Sequence, residues 1–137
     1  MAHVQRTGTY GVSASTLWSM VRDFAGIGNH MKGIEVSVKG EGVGTERTIK
    51  MPNGAEIVER LEGIDDDRMQ LTYAIVGGPL PVKDYLATMQ VREAGDGSEL
   101  DWSSTFEPTA VSEEQAVAMI DGIYSGGIEG YRRALES

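Results

Sequence analysis

Apolar and polar side chains alternate in six successive stretches between residues 34 and 106. Alternation with a period of two is typical of strands that bury one face, as in an antiparallel sheet. Residues 3–10 have the pattern of one further strand, so we expect seven strands, the last six joined as a meander. The expected inward positions of the six are Ile34, Val36 and Val38; Thr45, Arg47 and Ile49; Ile57, Glu59 and Leu61; Met69, Leu71, Tyr73 and Ile75; Tyr85, Ala87, Met89 and Val91; and Leu100, Trp102, Ser104 and Phe106.

Helical patterns precede and follow the meander. Ser13 can cap a helix that runs to about Phe24, and a second short helix follows the break at residues 26–28. Apolar residues then recur at helical spacing from Ser112 to about Leu135, in a stripe wide enough to pack deeply against a concave surface. The chain is therefore predicted to be one α+β domain, in which a curved seven-stranded antiparallel sheet surrounds a long C-terminal helix.

The composition argues against several kinds of site and partner. The chain has no Cys and only 2 His, so disulfides and Cys-based metal sites are excluded and no metal or cofactor is expected. A net charge of -9 disfavours binding to nucleic acid. No apolar run approaches the roughly 20 residues of a membrane span, and the N-terminus lacks a signal-peptide core. We expect a soluble, cytoplasmic protein.

Opposite charges fix the expected register of one hairpin. The loop at residues 52–54 suits a three-residue turn with Gly54 in a left-handed conformation. This turn sets Arg47 opposite Glu59, and it also pairs Lys50 with Glu56 and Glu46 with Arg60. Slips of one residue would oppose like charges. Because an ion pair on an apolar face is costly to bury, Arg47 and Glu59 suggest that this face lines a cavity.

The same argument extends across the sheet. A turn at residues 65–67 sets Glu59 opposite Tyr73, and a turn near residues 95–97 sets Met89 opposite Trp102. Three inner rows are then expected: Arg47, Glu59, Tyr73, Ala87 and Ser104; Leu61, Leu71, Met89 and Trp102; and Ile49, Ile57, Ile75, Tyr85 and Phe106. A mostly apolar face with one polar stripe suits an apolar ligand that has a polar handle. The loops at residues 51–54, 77–82 and 108–112 fall at one end of the sheet, where we expect the mouth.

Short segments in a fixed order carry a family resemblance across nearly the whole chain. They are residues 17–24 (LWSMVRDF), 44–48 (GTERT), 57–61 (IVERL), 78–82 (GPLPV) with Tyr85, and Trp102 with residues 106–108 (FEP). This set resembles the polyketide cyclase/dehydratase-like branch of the START (SRPBCC) superfamily. The resemblance implies a helix-grip fold whose cavity takes lipids, sterols, hormones or polyketides, and a minority of members catalyse cyclisation or dehydration. Residues 28–31 (GNHM) stand where this branch often carries a tryptophan.

Three classes of function stay open on the sequence. The first is binding or carriage of a small hydrophobic molecule, with ligand contacts from Arg47, Glu59, Tyr73, Tyr85, Met89, Trp102, Phe106, Ile120 and Tyr124. The second is a cyclase or dehydratase in which Arg47 polarises a carbonyl and Tyr73 or Glu59 moves a proton. The third is an interaction module that forms a homodimer through the long helix or an open sheet edge. A structural ion pair explains Arg47 and Glu59 at least as well as catalysis, and a packed core is the equal alternative for the aromatic residues.

Four other features have a structural and a functional interpretation. Residues 40–44 (GEGVG) resemble a phosphate loop but lie between strands, so a tight turn is expected. Residues 65–67 (DDD) suit an exposed acidic turn better than a cation site. His30 is either an acid–base group or a solvated loop residue. Two glycines inside the long helix, residues 126–127, permit a bend or a close approach to the sheet.

Overall fold

The computed structural model describes residues 1–29 and 33–136, and in this part of the chain seven strands and two α-helices form one sheet-and-helix unit. The strands are β1 (Ala2–Tyr10), β2 (Glu35–Lys39), β3 (Glu46–Lys50), β4 (Glu56–Asp65), β5 (Gln70–Gly77), β6 (Val82–Ala94) and β7 (Gly97–Pro108). The helices are α1 (Ala14–Val21) and α2 (Glu113–Glu136), and a 3₁₀ turn (Ile27–Asn29) follows α1. The sheet is antiparallel in the order β1-β7-β6-β5-β4-β3-β2. The predicted fold class is confirmed, and the second short helix is this 3₁₀ turn.

Helix α1 begins where the sequence predicts and ends earlier. The Ser13 hydroxyl accepts a hydrogen bond from the Thr16 amide at 3.2 Å, which satisfies one of the free amides of the first turn. The helix ends at Val21, because the Asp23 amide bonds the carbonyl three residues back, at Met20, and tightens the last turn. Phe24 therefore lies outside the helix, although it is still buried.

Helix α2 packs across one half of the concave face of the sheet. Its buried residues form one stripe, with most of them three or four positions apart: Ala116, Ile120, Tyr124, Gly127, Ile128 and Tyr131. The helix packs against β1 and β7, at one edge of the sheet. Helix α2 consequently leaves the concave face of β3 and β4 uncovered, and this asymmetry positions the site described below.

The register of the β3–β4 hairpin is the one that the charges predict. Arg47 faces Glu59 and Ile49 faces Ile57. Gly54 has φ of +88°, the left-handed conformation expected for the turn. The predicted pairing of Met89 with Trp102 between β6 and β7 is also confirmed.

The predicted register of β4 and β5 is wrong by two residues. Glu59 pairs with Ile75, and Tyr73 pairs with Leu61. The loop is longer than expected, since Asp65 pairs with Gln70, and its side chain accepts hydrogen bonds from the amides of residues 67 and 68. Two β-bulges, one in each strand, add further offsets.

The expected inner rows are therefore partly rearranged. The first row breaks into Arg47 and Glu59 on one side and Tyr73, Ala87 and Ser104 on the other. The second row keeps Leu71, Met89 and Trp102 but loses Leu61, and the third keeps Ile49 and Ile57 but loses Ile75. The polar stripe is consequently split at the β4–β5 boundary.

The outer boundaries of the sheet bear on two further expectations. Strands β1 and β2 form its two edges, which are the surfaces that a homodimer could extend, and such use stays a prediction. No helix in residues 1–29 and 33–136 is long and apolar enough to cross a membrane.

Candidate functional site

A cavity of about 970 Å³ lies between the sheet and α2, on the side that the helix leaves open. Its inner wall consists of buried side chains from four strands: Arg47, Ile49, Ile57, Glu59, Tyr73 and Trp102. Its rim consists of exposed residues that mark the mouth: Gly33, Pro52, Met119, Gly122, Gly126 and Arg133. The cavity is thus mostly apolar inside, which is the usual character of a small-molecule site.

The mouth is displaced from the end of the sheet where the loop pattern places it. Met51 and Pro52 border the cavity, as expected for the hairpin loop. No residue of the loops at 77–82 and 108–112 lines it, so this part of the prediction is wrong. The physical reason is the position of α2, which covers β1 and β7 and leaves the opening beside β3 and the 3₁₀ turn.

Arg47 and Glu59 form a buried ion pair in the inner wall. Nε of Arg47 lies 2.8 Å and its second terminal nitrogen 2.7 Å from the same oxygen, Oε1 of Glu59. The remaining terminal nitrogen donates to the Phe24 carbonyl at 2.9 Å, and the guanidinium lies 3.8 Å from the centre of the Phe24 ring. The residues are only 3% and 8% exposed. The Arg47 charge is therefore offset within the protein before any ligand arrives.

Tyr73 and Trp102 form the second polar contact of the wall. The Trp102 indole donates a hydrogen bond to the Tyr73 hydroxyl at 3.1 Å. Burial raises the pKa of Tyr73 well above its ordinary value, and the neighbouring Tyr85 and Tyr124 add to the shift. Tyr73 therefore keeps its proton at neutral pH and is a poor proton donor.

Five of the residues expected to contact ligand lie in the packed core and do not border the cavity: Tyr85, Met89, Phe106, Ile120 and Tyr124. The Tyr85 ring stacks on Phe106 at 5.9 Å, and the Tyr85 and Tyr124 hydroxyls hydrogen-bond each other. Tyr124 in turn stacks on Trp102, with ring centres 4.6 Å apart. These side chains support the wall from behind. Of the expected contacts, Arg47, Glu59, Tyr73 and Trp102 do line it.

Several lining residues were not predicted from the sequence. Met20 reaches the cavity from the end of α1, and Ile27 and Ile34 reach it from the segment between α1 and β2. On α2, Gly122 and Gly126 lie four residues apart on one face, with Arg133 further along it. This spacing is a signal in the sequence that could have identified the mouth.

The other singled-out motifs are structural where the structure describes them. Gly40, Gly42 and Gly44 have positive φ and form a turn between strands. Asp66 of the acidic turn accepts hydrogen bonds from the Trp18 indole at 2.9 Å and from Arg22 at 2.8 Å, which ties α1 to the sheet. Residues 1–29 and 33–136 contain no cluster of acidic or His side chains that could hold a metal ion. His30 lies outside the described residues.

All five tyrosines of the chain have raised pKa values, so we expect a coupled response to alkaline pH. Burial raises the pKa of Tyr85 and of Tyr131 to about 12 each. A raised folded-state pKa stabilises the fold fully below the unfolded value near 10, and this stabilisation disappears as the pH rises from about 10 to 12. The free energy of unfolding should be flat from pH 7 to 9 and fall above pH 10.

The measurement is a pH titration of the phenolate absorbance alongside circular dichroism. We expect no phenolate absorbance before the dichroism signal begins to fall. A tyrosine that ionises near pH 10 in a fully folded protein would contradict the burial of these hydroxyls.

A curved antiparallel sheet that holds a long helix, with a cavity between them, defines a helix-grip protein. The chain belongs to the polyketide cyclase / dehydrase and lipid transport family, whose model matches residues 1–136, and thus to the START-like superfamily. None of the curated proteins compared matches it.

Solved structures resemble the chain over its whole length. The protein XoxI from Bacillus cereus is 33% identical, with a TM-score of 0.89 over 100% of this chain and 99% of its own. An uncharacterized protein from Bacillus thuringiensis is 32% identical, with a TM-score of 0.90 over 99% and 100%. Ara h 8.0201 is 16% identical, with a TM-score of 0.75 over 98% of each chain, and shares the fold.

Proposed function

We propose that this protein binds and carries a small hydrophobic molecule in the cavity between the sheet and α2. The observation that carries the proposal is the cavity itself: about 970 Å³, with Ile49, Ile57 and Trp102 in its inner wall and an exposed rim. Burying apolar ligand surface against such a wall is favourable by roughly 25 cal/mol per Å². The family description, which includes lipid transport, supports the same class of ligand.

The geometry favours binding over cyclisation or dehydration. Catalysis by general acids needs a group whose pKa lies near the working pH, whereas the pKa of Tyr73 is raised well above its ordinary value. Each nitrogen of Arg47 already has a partner, in Glu59 or the Phe24 carbonyl. The Glu59 carboxylate also offsets the Arg47 charge, and this weakens the polarisation that the guanidinium could exert on a substrate carbonyl.

Binding of a neutral fluorescent dye tests the proposal. N-phenyl-1-naphthylamine fluoresces in apolar surroundings, and we expect saturable binding of one dye per chain. Gly126→Phe should weaken this binding roughly tenfold or more, because a side chain at this rim position extends into the open mouth. In the complex, the phenyl ring and the dye would compete for the same space. Overpacking of this kind typically costs about 1–3 kcal/mol, and about 1.4 kcal/mol corresponds to a tenfold change in affinity.

The matched control is Ala118→Phe, which adds the same ring to an exposed position of α2 outside the cavity. This variant should bind the dye as the wild type does. Absence of saturable binding to the wild type, or equal binding by both folded variants, would overturn the proposal.

A further inference from the structure

Arg133 differs from every other arginine of the chain. Arg6, Arg22, Arg47, Arg60, Arg68, Arg92 and Arg132 each form an ion pair with an Asp or Glu. Arg133 is exposed, lines the mouth of the cavity and forms no ion pair with any residue in 1–29 or 33–136. In a chain with a net charge of -9, carboxylates are abundant, so the cation at the mouth stands out.

The neighbouring Arg132 provides the contrast. Its guanidinium bonds the Glu129 carboxylate at 3.3 Å and the Thr9 carbonyl at 2.6 Å, and it does not line the cavity. Two adjacent residues of one helix thus present one engaged cation outside the cavity and, at its mouth, one cation that pairs with no carboxylate of residues 1–29 and 33–136.

The inner wall, by contrast, carries no net charge, because Arg47 and Glu59 offset each other. Both Arg47 nitrogens that reach Glu59 converge on Oε1, and no described residue donates a hydrogen bond to Oε2. Glu59 borders the cavity, so its second oxygen is an acceptor available to a ligand. An anionic group placed at the inner end would find no net positive charge and would face this carboxylate oxygen, whereas a hydroxyl-bearing end could donate a hydrogen bond to it.

The rim leaves room in front of Arg133. Gly122 and Gly126 lie on the same helix face, and a Cβ added at either would meet nothing within 4 Å. The approach from the cavity to the arginine therefore passes bare helix backbone.

On the basis of the proposed function, we infer that the ligand is an amphipathic acid, whose apolar body enters the cavity and whose acid group stays at the mouth on Arg133. A guanidinium binds a carboxylate through charge-assisted hydrogen bonds in a forked geometry, and these are stronger than neutral ones. The neutral Arg47–Glu59 pair inside and the Arg133 charge at the mouth set the orientation.

The test compares decanoate with decanol, two probes of equal chain length, as competitors of N-phenyl-1-naphthylamine. Arg133→Gln should weaken decanoate binding roughly tenfold, the scale of a hydrogen bond to a charged group. Arg132→Gln removes the same charge from the adjacent residue and should leave decanoate binding unchanged. Decanol should compete equally well against the wild type and both variants.

Two results would overturn the inference while the proposed function stands. One is an equal loss of decanoate affinity in Arg132→Gln and Arg133→Gln. This result would mean that decanoate responds to the net charge of the protein and not to Arg133 in particular. The other is decanoate binding that Arg133→Gln does not change. If neither probe displaces the dye and the dye itself does not bind, both the inference and the proposed function fail.

Discussion

Arg47→Met should lower the free energy of unfolding by about 3–5 kcal/mol, the cost of breaking a buried ion pair on one side. The methionine leaves the Glu59 carboxylate, only 8% exposed, without the two nitrogens that now lie within 2.8 Å of it. It also removes the donor to the Phe24 carbonyl and the cation from above the Phe24 ring. Because the whole fold is stable by about 5–15 kcal/mol, this is a large fraction of the total.

A double variant shows how much of the lost stability comes from leaving the Glu59 charge unpaired and how much from losing the other contacts of Arg47. Arg47→Met with Glu59→Met replaces both partners by apolar groups, so most of the lost stability should return, with the Phe24 carbonyl left as a residual cost of about 0.5–1.5 kcal/mol. The measurement is denaturant unfolding followed by circular dichroism. If the single variant does not fold, recovery of the fold in the double variant decides the question.

The control is a more exposed ion pair between two residues of β4, Arg60 and Glu62. Arg60 bonds Glu62 at 2.7 Å, and the two side chains are 42% and 34% exposed. Arg60→Met should cost at most about 1 kcal/mol, since solvent screens such pairs. Equal losses of unfolding free energy in Arg47→Met and Arg60→Met would show that burial does not make the Arg47–Glu59 pair more costly to break than an exposed pair.

The hairpin that holds this pair could be predicted from the sequence because two independent signals agree. The Pro52–Gly54 loop fixes the turn, and three pairs of opposite charges favour one register over its one-residue slips. The helices were predictable for a similar reason, since Ser13 supplies a cap and the apolar stripe of α2 is wide.

The β4–β5 register could not be obtained in the same way. The two β-bulges leave no signature in the alternation of apolar and polar residues. The turn also needs a positive φ at Met69, and a glycine, the residue that would indicate such a conformation in the sequence, is not present at that position. Residues 65–67 therefore suggested a tighter turn than the one that forms.

The boundary of the cavity could not be predicted from the sequence for a different reason. Inward positions of all strands share one pattern, but only some of them border the cavity, and others pack against the helices. Trp102 borders it, whereas Met89, its direct partner on β6, does not. Which half of the sheet a helix covers depends on packing over long sequence separations, and a period of two cannot report it.

Substituting alanine at two adjacent glycines of α2 should change stability in opposite directions. A Cβ at Gly127 would lie 2.5 Å from one carbon of the Trp102 ring and 2.8 Å from another. Trp102 cannot easily move away, because it stacks on Tyr124 and bonds the Tyr73 hydroxyl. Gly127→Ala should therefore destabilise the protein by about 1–3 kcal/mol, the usual cost of overpacking a core.

Gly126→Ala should instead stabilise the protein by about 0.4–1 kcal/mol, because its Cβ meets nothing within 4 Å and alanine favours the helix. Denaturant unfolding of both variants measures the difference, which should be about 1.5–4 kcal/mol between neighbouring positions. If Gly127→Ala were also stabilising, the close approach of α2 to Trp102 would be incorrect, and with it the position of the cavity wall. Opposite signs would instead mean that Gly127 sets how closely the helix approaches the sheet, whereas Gly126 lowers stability at a position where it keeps the mouth open.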